Sequence, residues 1–590
     1  MHHRIRTYLA ASAILLATHT AAAAQSYDPR TQSPMVLLTA PKDPIAYYDA
    51  KTQALALVAQ NKAAEAEPLV ERITREYPRD GENWVLLGQV KRMLNKYAES
   101  AAAYETAGKL LWWGGPASST AAGATAHLLA GNKRAALDLL RRYTVEDGNM
   151  DRSWIFGDED FVSLKADPEF LDIAGRPDSS GWSRDYGWRR DLEFLRDEVK
   201  RLNAEYRTAL LPAEFESRYE ILWNDVPRLS DEQIYVGINR LLADFRQGHT
   251  AVWSLSDTRV VYKGLPFQFW VFPEGVFIVH AAAQHKDLIG ARLVSIEDTS
   301  AEEALRKVNE TQSVDGDNEY LFMGVESLRE AAYLVGLGIA KSTESIRITV
   351  QKPGLPKRTL AVETTPARSS DRLMPLSGVE APLFLQEAKE THWHKALPEQ
   401  TALYVQFNNV SNEKDETLKQ YSLRLRALIS ESAPKNLILD MRHNDGGSTH
   451  LYAEFLRTMI GFSMLPERRL YVLTSRNTYS AAGNLITELE QLADATFVGE
   501  ASSECCTFYA SPSGFTLPFS KLKGRMSTKK WSLSRKGNDF RRELNPHVPI
   551  VMTAKDYFSG RDPVMETVAR LIERNEAAKV GAPGAPATTK

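Results

Sequence analysis

Ser480 stands in Thr478-Tyr479-Ser480-Ala481-Ala482, between a polar turn that starts at Ser475 and an apolar-periodic stretch, Ala481 to Leu492, that reads as a helix. A hydroxyl at the start of a helix lies at the positive end of the helix dipole, beside backbone N–H groups with no partner inside the helix. Those donors can stabilise an oxyanion, so the position suits attack on a carbonyl, although the commonest task of a serine there is N-capping. A second segment, Leu437-Ile438-Leu439-Asp440-Met441-Arg442-His443-Asn444-Asp445-Gly446-Gly447, runs from an apolar strand into a polar turn with a glycine pair. Other candidates carry less. Ser-x-x-Lys occurs at Ser432/Lys435, Ser520/Lys523 and Ser527/Lys530 without its companion motifs, and no Gly-x-Ser-x-Gly elbow surrounds Ser480. His392-Trp393-His394 offers two metal ligands but no third in sequence, and reads as two surface histidines. Asp315-Gly316-Asp317 lacks the remaining ligands of a calcium loop. No metal and no cofactor are expected.

These residues need elements to hold them. From about Ala402 to Arg574 short apolar runs, Leu403 to Phe407, Leu437 to Met441 and Leu470 to Thr474, alternate with helical stretches, the pattern of strands covered on both faces of an α/β core. Upstream, Trp188 to Phe245 is helical, with Leu192, Leu195, Val199 and Leu202 on one stripe. After Thr250 come β-branched and aromatic runs, such as Phe267 to Phe272 and Val276 to Val279, and then Leu288 to Ile296 followed by a helical Ala301 to Val308. That order resembles the central part of a PDZ domain, in which a groove accepts a peptide as an extra strand. Pro41 to Val145 is helical and resembles tetratricopeptide repeats in its period of about 34 residues, clearest at Trp84, Leu87, Gly88, Tyr104 and Ala107. Stacks of this kind bind peptides or proteins, so a protein partner is expected on the repeats.

The strand ending in Asp-x-Arg-x-Asn-x-Gly-Gly at Asp440 to Gly447, with Ser480 and then Phe497-Val498-Gly499-Glu500 downstream, resembles the C-terminal-processing peptidases, the tail-specific and tricorn-core serine proteases. The resemblance spans roughly Trp188 to Leu571 and implies a crotonase-like (ClpP/crotonase) core, a Ser480 nucleophile, and an oxyanion hole from Ala481 with the Gly446 and Gly447 pair. Tail-specific members carry a lysine base after the Val-Gly-Glu strand; Cys505 stands there, so the simple Ser-Lys dyad is excluded. Gly248-His249-Thr250 instead is similar to the element of the tricorn-type and retinoid-binding-protein-type branch, which implies His249 as base. Glu543, in Glu543-Leu544-Asn545-Pro546, keeps that branch's interval from glutamate to proline and is the implied third member, although Pro546 and Ile550 replace its usual glycine and aspartate. The expected function is a serine endopeptidase acting on protein or peptide substrates; the alternatives are a non-catalytic ligand-binding descendant or a scaffold built on the repeats.

The 590 residues exceed what one core holds, since single cores stop growing near ~250–300 residues. The expected multidomain α and α/β organisation is a signal peptide at 1–24, TPR-like helical repeats at 41–145, a packed linker at 146–183, a helical segment at 184–252, a PDZ-like domain at 253–365, the crotonase-like core at 366–575 and a disordered tail at 576–590. The net charge of -3 over 72 basic and 75 acidic residues forms no block of one sign, which argues against nucleic acid or a membrane surface as partner. The leader pairs a basic start at Arg4 and Arg6 with a short apolar run and Ala22-Ala23-Ala24, so a periplasmic or secreted chain with no membrane span after cleavage is expected. The only cysteines, Cys505 and Cys506, are adjacent and are expected as two reduced, buried thiols rather than a vicinal disulfide.

Overall fold

A computed structural model describes residues 40–110, 115–145, 152–366, 373–374 and 380–581. The expected signal peptide at 1–24 and residues 582–590 of the expected tail lie outside them. Two compact units result, one with the residues up to Ser180 and the piece Gly514–Pro518, the other with Gly181–Ser513 and Phe519 onward.

The first unit is a run of helices, Pro44–Ala59, Ala63–Glu76, Gly81–Met93, Tyr97–Gly108, Gly115–Leu129 and Lys133–Val145, each packed on the next. Small residues set their spacing: a Cβ on Gly88 would fall 2.9 Å from the Tyr104 ring. Buried Lys91 gathers Glu67, Glu71 and Glu99 from neighbouring helices. The segment expected as a linker is packed, with Ile155, Phe161 and Phe170 buried against Leu137 and Leu140.

The second unit is built on a six-stranded sheet in the order Val548–Pro549, Ala495–Gly499, Arg469–Thr474, Asn436–Asp440, Ala402–Phe407, His392–Leu397. Its pairings are parallel except at the edge strand His392–Leu397. Every residue of Ala402–Phe407 and Asn436–Asp440 is buried, because helices cover both faces, as a parallel sheet requires. Leu418–Ser432, Ala453–Ser463 and Ala481–Leu492 close one face, and Val564, Val568 and Ile572 of Pro563–Gly581 close the other. That last helix runs past 576, so part of the expected tail is ordered helix. A second, antiparallel sheet in the order Phe267–Phe272, Gly275–Ala282, Arg292–Ile296, Ser345–Gln351, Arg358–Glu363 shares a core with helices Ala301–Asn309, Glu319–Leu328 and Ala331–Gly336. Helix Asp231–Ala243, started by a Ser230/Gln233 capping box, leads into Gly248 and His249.

Beneath the turn after Asp440 lies a buried ion cluster. Arg442 Nη2 sits 2.6 Å from Asp440 Oδ2 and 2.8 Å from Asp562 Oδ2, and Tyr404 donates its hydroxyl to Asp440 at 2.8 Å. Removing one member strands a buried charge, which typically costs ~3–5 kcal/mol. Arg442→Ala is therefore expected to lower unfolding free energy by about that amount in urea titration; a loss under ~1 kcal/mol, the range of an exposed ion pair, contradicts the account.

Candidate active site

Strand Arg469–Thr474 ends in a turn that is tied down by its polar side chains. Ser475 Oγ donates to Arg442 O at 2.6 Å and Thr478 Oγ1 to Met441 O at 3.0 Å. Arg476, buried, holds Glu500 through two hydrogen bonds of 2.9 and 2.8 Å, so the glutamate of the Val-Gly-Glu strand fixes the turn before Ser480. Ser480 itself has φ 59° and ψ -122°, and its side chain makes no capping bond to the helix Ala481–Leu492. A non-glycine residue held in that region is strained, and such strain is typical of serines presented on a strand–turn–helix elbow. The N-cap role that the sequence alone favours is not what the hydroxyl does.

Its partner is His249, 231 positions upstream, whose Nε2 lies 3.0 Å from Ser480 Oγ. On the other side of the ring, Nδ1 is 3.1 Å from Tyr509 O, 3.0 Å from Tyr479 Oη and 3.3 Å from Glu504 Oε1. A backbone carbonyl only accepts, so Tyr509 O holds the proton on Nδ1 and leaves the Nε2 lone pair toward the serine. The Tyr479 ring lies parallel to the imidazole, centroids 4.6 Å apart, and fixes its plane. His249 is 4% exposed. Burial, helped by the charge of Arg525, pushes its pKa down to about 3, so the ring is neutral near pH 7.

The glycine pair closes on the serine. Gly446 has φ 108°, and a Cβ there would lie 2.5 Å from Ser480 Cβ and 3.0 Å from Ala481 N, so both conformation and contact demand glycine. Asn444 stitches the two loops together: its Oδ1 accepts from Gly446 N–H at 3.0 Å, its Nδ2 donates to Phe407 O at 2.8 Å, and its carbonyl accepts from Tyr479 N–H at 3.1 Å. Gly447, with φ 129°, packs on Val410.

Glu543 is not at the imidazole. Its Oε1 accepts from Asn318 N–H at 2.5 Å, and the carboxyl group beside Nδ1 belongs to Glu504, whose Oε2 accepts from Ser480 N–H at 2.7 Å. Asp315 and Glu319 join Glu504 there. Asp315 accepts from Gly248 N–H at 2.7 Å and from Tyr509 N–H at 3.1 Å, and Glu319 accepts from Asp315 N–H at 2.7 Å. All three are buried. Burial first, and then mutual repulsion, holds Glu319 and Glu504 well above the usual carboxylate range, and burial pushes Asp315 up to about 7. Cys505 and Cys506, directly after Glu504, are bonded to each other, correcting the two thiols expected. Their N–H groups are held by Arg542 O and Thr487 Oγ1 at 2.8 Å each, so the bonded pair anchors the Glu504 backbone.

The sequence reading missed Glu504, Tyr479, Tyr509, Asp315 and Glu319. Glu504 and Tyr479 lie next to singled-out residues, but nothing in a single sequence shows which way they point. Asp315 and Glu319 enter from the β-rich domain.

No family model matches the chain, and no curated protein matches it. Among solved structures it is similar to mature CPAF complexed with lactacystin, at 12% identity and TM-score 0.49, over 66% of this chain and 98% of that one. It is also similar to the photosystem II D1 C-terminal processing protease, at 15% identity and TM-score 0.34, over 65% of this chain and 97% of that one. Tricorn protease aligns at 13% identity and TM-score 0.31, over 66% of this chain and 37% of that one. Among the described residues no helix is long and apolar enough to cross a membrane.

A carboxyl group whose pKa is raised by folding contributes stability that is full below its unfolded pKa and is lost as pH rises toward the folded value. For Asp315 that window runs from about pH 4 to about pH 7. Asp315→Asn is expected to gain melting temperature relative to the parent chain across this window, by a few degrees, in calorimetry at stepped pH. A difference that stays flat or falls with pH contradicts the raised pKa.

Proposed function

We propose that the chain is a serine endopeptidase acting on protein or peptide substrates, with Ser480 as nucleophile and His249 as general base. The observation that supports it is the 3.0 Å approach of His249 Nε2 to Ser480 Oγ, made by a serine whose hydroxyl caps no helix. Ser480 Oγ attacks the peptide carbonyl carbon while its proton passes to Nε2. The tetrahedral oxyanion is met by Ala481 N–H and by the glycine turn; because Gly446 N–H is held by Asn444 Oδ1, Gly447 N–H is the second donor in this reading. Each such donor is worth roughly 10²- to 10³-fold in turnover. The imidazolium then returns its proton to the leaving amine, and a water repeats the sequence to release the acyl group. Glu504 replaces Glu543 as the carboxyl side chain beside His249, and it acts by accepting from Ser480 N–H.

The same reading assigns 41–145 as TPR-like repeats that recruit a protein, 253–365 as a PDZ-like domain that adds a substrate strand to its sheet, and 366–575 as a crotonase-like catalytic core. Export to the periplasm or beyond rests on the leader-like residues 1–24. The connection between helices Ala301–Asn309 and Glu319–Leu328, and the first residue of the latter, also supply Asp315 and Glu319 to the site, which supports direct coupling between that domain and the chemistry.

A fluorophosphonate probe is expected to label the chain, and Ser480→Ala to abolish both labelling and cleavage of an unfolded protein. If neither depends on Ser480, the peptidase reading fails and the ligand-binding or scaffold reading replaces it. His249→Ala is expected to lower kcat/KM by ~10²- to 10⁴-fold. With the His249 pKa pushed down to about 3, the acid limb of kcat/KM should fall below the usual histidine range; a limb centred near ~6.5 contradicts the buried, neutral base. Because burial holds Glu504 well above the usual carboxylate range, Glu504→Gln should keep turnover that Glu504→Ala loses, whereas Glu543→Gln should leave it unchanged.

A further inference from the structure

The edge strand His392–Leu397 carries His392 and His394 on one face, two residues apart, and that face meets helix Leu418–Ser432. The rings of both turn toward Tyr421, with centroids 3.7 Å and 6.2 Å away. His392 is not the surface residue its sequence context suggests, since its side chain is 1% exposed. Neither of its ring nitrogens has a hydrogen-bond partner among the described residues. Burying an imidazole with both nitrogens unsatisfied is costly, so the position calls for a partner.

The groups facing it are carboxylates. Glu413 Oε1 stands 3.0 Å from His392 Nδ1 without forming a hydrogen bond, and it too has no hydrogen-bond partner among the described residues. Glu416 comes from the same loop, and one donor atom from each of His392, Glu413 and Glu416 lies within 4.8 Å of the other two. The loop is preset. Glu413 N–H donates to Glu416 O at 3.0 Å, Asn412 Oδ1 accepts from Leu418 N–H at 3.0 Å, and Thr417 and Gln420 form a capping box. Arg424 clamps the Glu416 carboxylate at 2.9 and 2.7 Å, which fixes its orientation as an outer-shell partner does for a metal ligand.

We infer that His392, Glu413 and Glu416 form a binding site for a divalent transition-metal ion of the Zn2+ class, separate from the Ser480 centre. One imidazole with two carboxylates is an N/O set suited to such an ion, with water completing its coordination. The ion would satisfy the buried imidazole, offset the two carboxylates and pin the loop to the edge strand. That loop begins at Val410, which hydrogen-bonds through N–H to Gly446 O at 2.6 Å and accepts from Ser448 N–H at 2.8 Å. The bound ion therefore acts structurally, by stiffening the backbone that supports the glycine pair.

The test uses tag-free full chain stripped by chelator and titrated with Zn2+ alone, read by calorimetry and by metal analysis after desalting. One ion per chain is expected, together with a melting temperature raised by a few degrees on loading. His392→Asn and the double variant Glu413→Gln/Glu416→Gln should each bind at least ~10-fold more weakly and lose that rise. Should His392→Asn fail to fold, the double variant decides, since its side chains lie on the loop; its metal-free melting temperature serves as the folding control. No stoichiometric Zn2+, or Zn2+ binding that the double variant retains, overturns the site and leaves only the direct contact of Glu413 with His392.

Discussion

The hydrogen bond between His249 Nε2 and Ser480 Oγ depends on a dry pocket, and the pocket dictates much of what surrounds it. Water around the imidazole would return its pKa to the ordinary range and populate the charged form, which cannot accept the serine proton. Burial removes that competition but also removes solvent as a hydrogen-bond partner. The second ring nitrogen then needs an internal acceptor, and Tyr509 O provides one whose direction cannot be reversed. A backbone carbonyl is a more rigid orienter than a long side chain, because it is locked into strand Thr507–Thr516. The parallel Tyr479 ring removes the remaining freedom of the imidazole plane.

The serine side of the bond is held by backbone conformations that ordinary residues avoid. Ser480 at φ 59° and Gly446 at φ 108° stand against each other at a distance that excludes any Cβ on the glycine. Such geometry persists only where neighbours over-determine it. Asn444 makes three hydrogen bonds, to Gly446 in its own loop, to Phe407 at a strand end and to Tyr479 in the serine loop, and Arg442 anchors the stretch below it through two buried aspartates. The Asp-x-Arg-x-Asn-x-Gly-Gly run thus has a division of labour: the charged members fix the floor, the asparagine joins the loops, and the glycines allow the approach.

That division explains which parts were legible in the sequence. The apolar runs at 403–407, 437–441 and 470–474 announce strands covered on both sides, and the sheet has them side by side in parallel register. The glycine pair was legible because unusual backbone leaves a compositional trace, whereas Ser480 alone reads as a helix cap and reads as a nucleophile through the resemblance carried by that pair and the Val-Gly-Glu strand. His249 was reachable only through resemblance, since a lone histidine after a helix has no pattern of its own. The third position was misassigned for the same reason. Glu543 and Glu504 are both carboxyl groups in polar stretches, and only the fold turns one toward Nδ1 and the other toward Asn318 N–H. The state of the two cysteines was equally hidden, because adjacency in sequence permits either thiols or a bond.

The three carboxyl groups around His249 invert the usual role of an acidic partner. In a solvated triad the acid is ionised and its charge favours the imidazolium. Here Asp315, Glu319 and Glu504 share one buried space, and ionising one raises the cost of ionising the next. They act mainly as acceptors for backbone N–H groups: Asp315 for Gly248 and Tyr509, Glu504 for Ser480, and Glu319 for Asp315 itself. The carboxyl cluster therefore positions the site through the backbone rather than through charge. The low pKa of His249 follows first from its own burial and then from the charge of Arg525. In the proposed reaction, base strength is traded for a ring that is ready to accept, and the developing oxyanion is stabilised at Ala481 and the glycine turn.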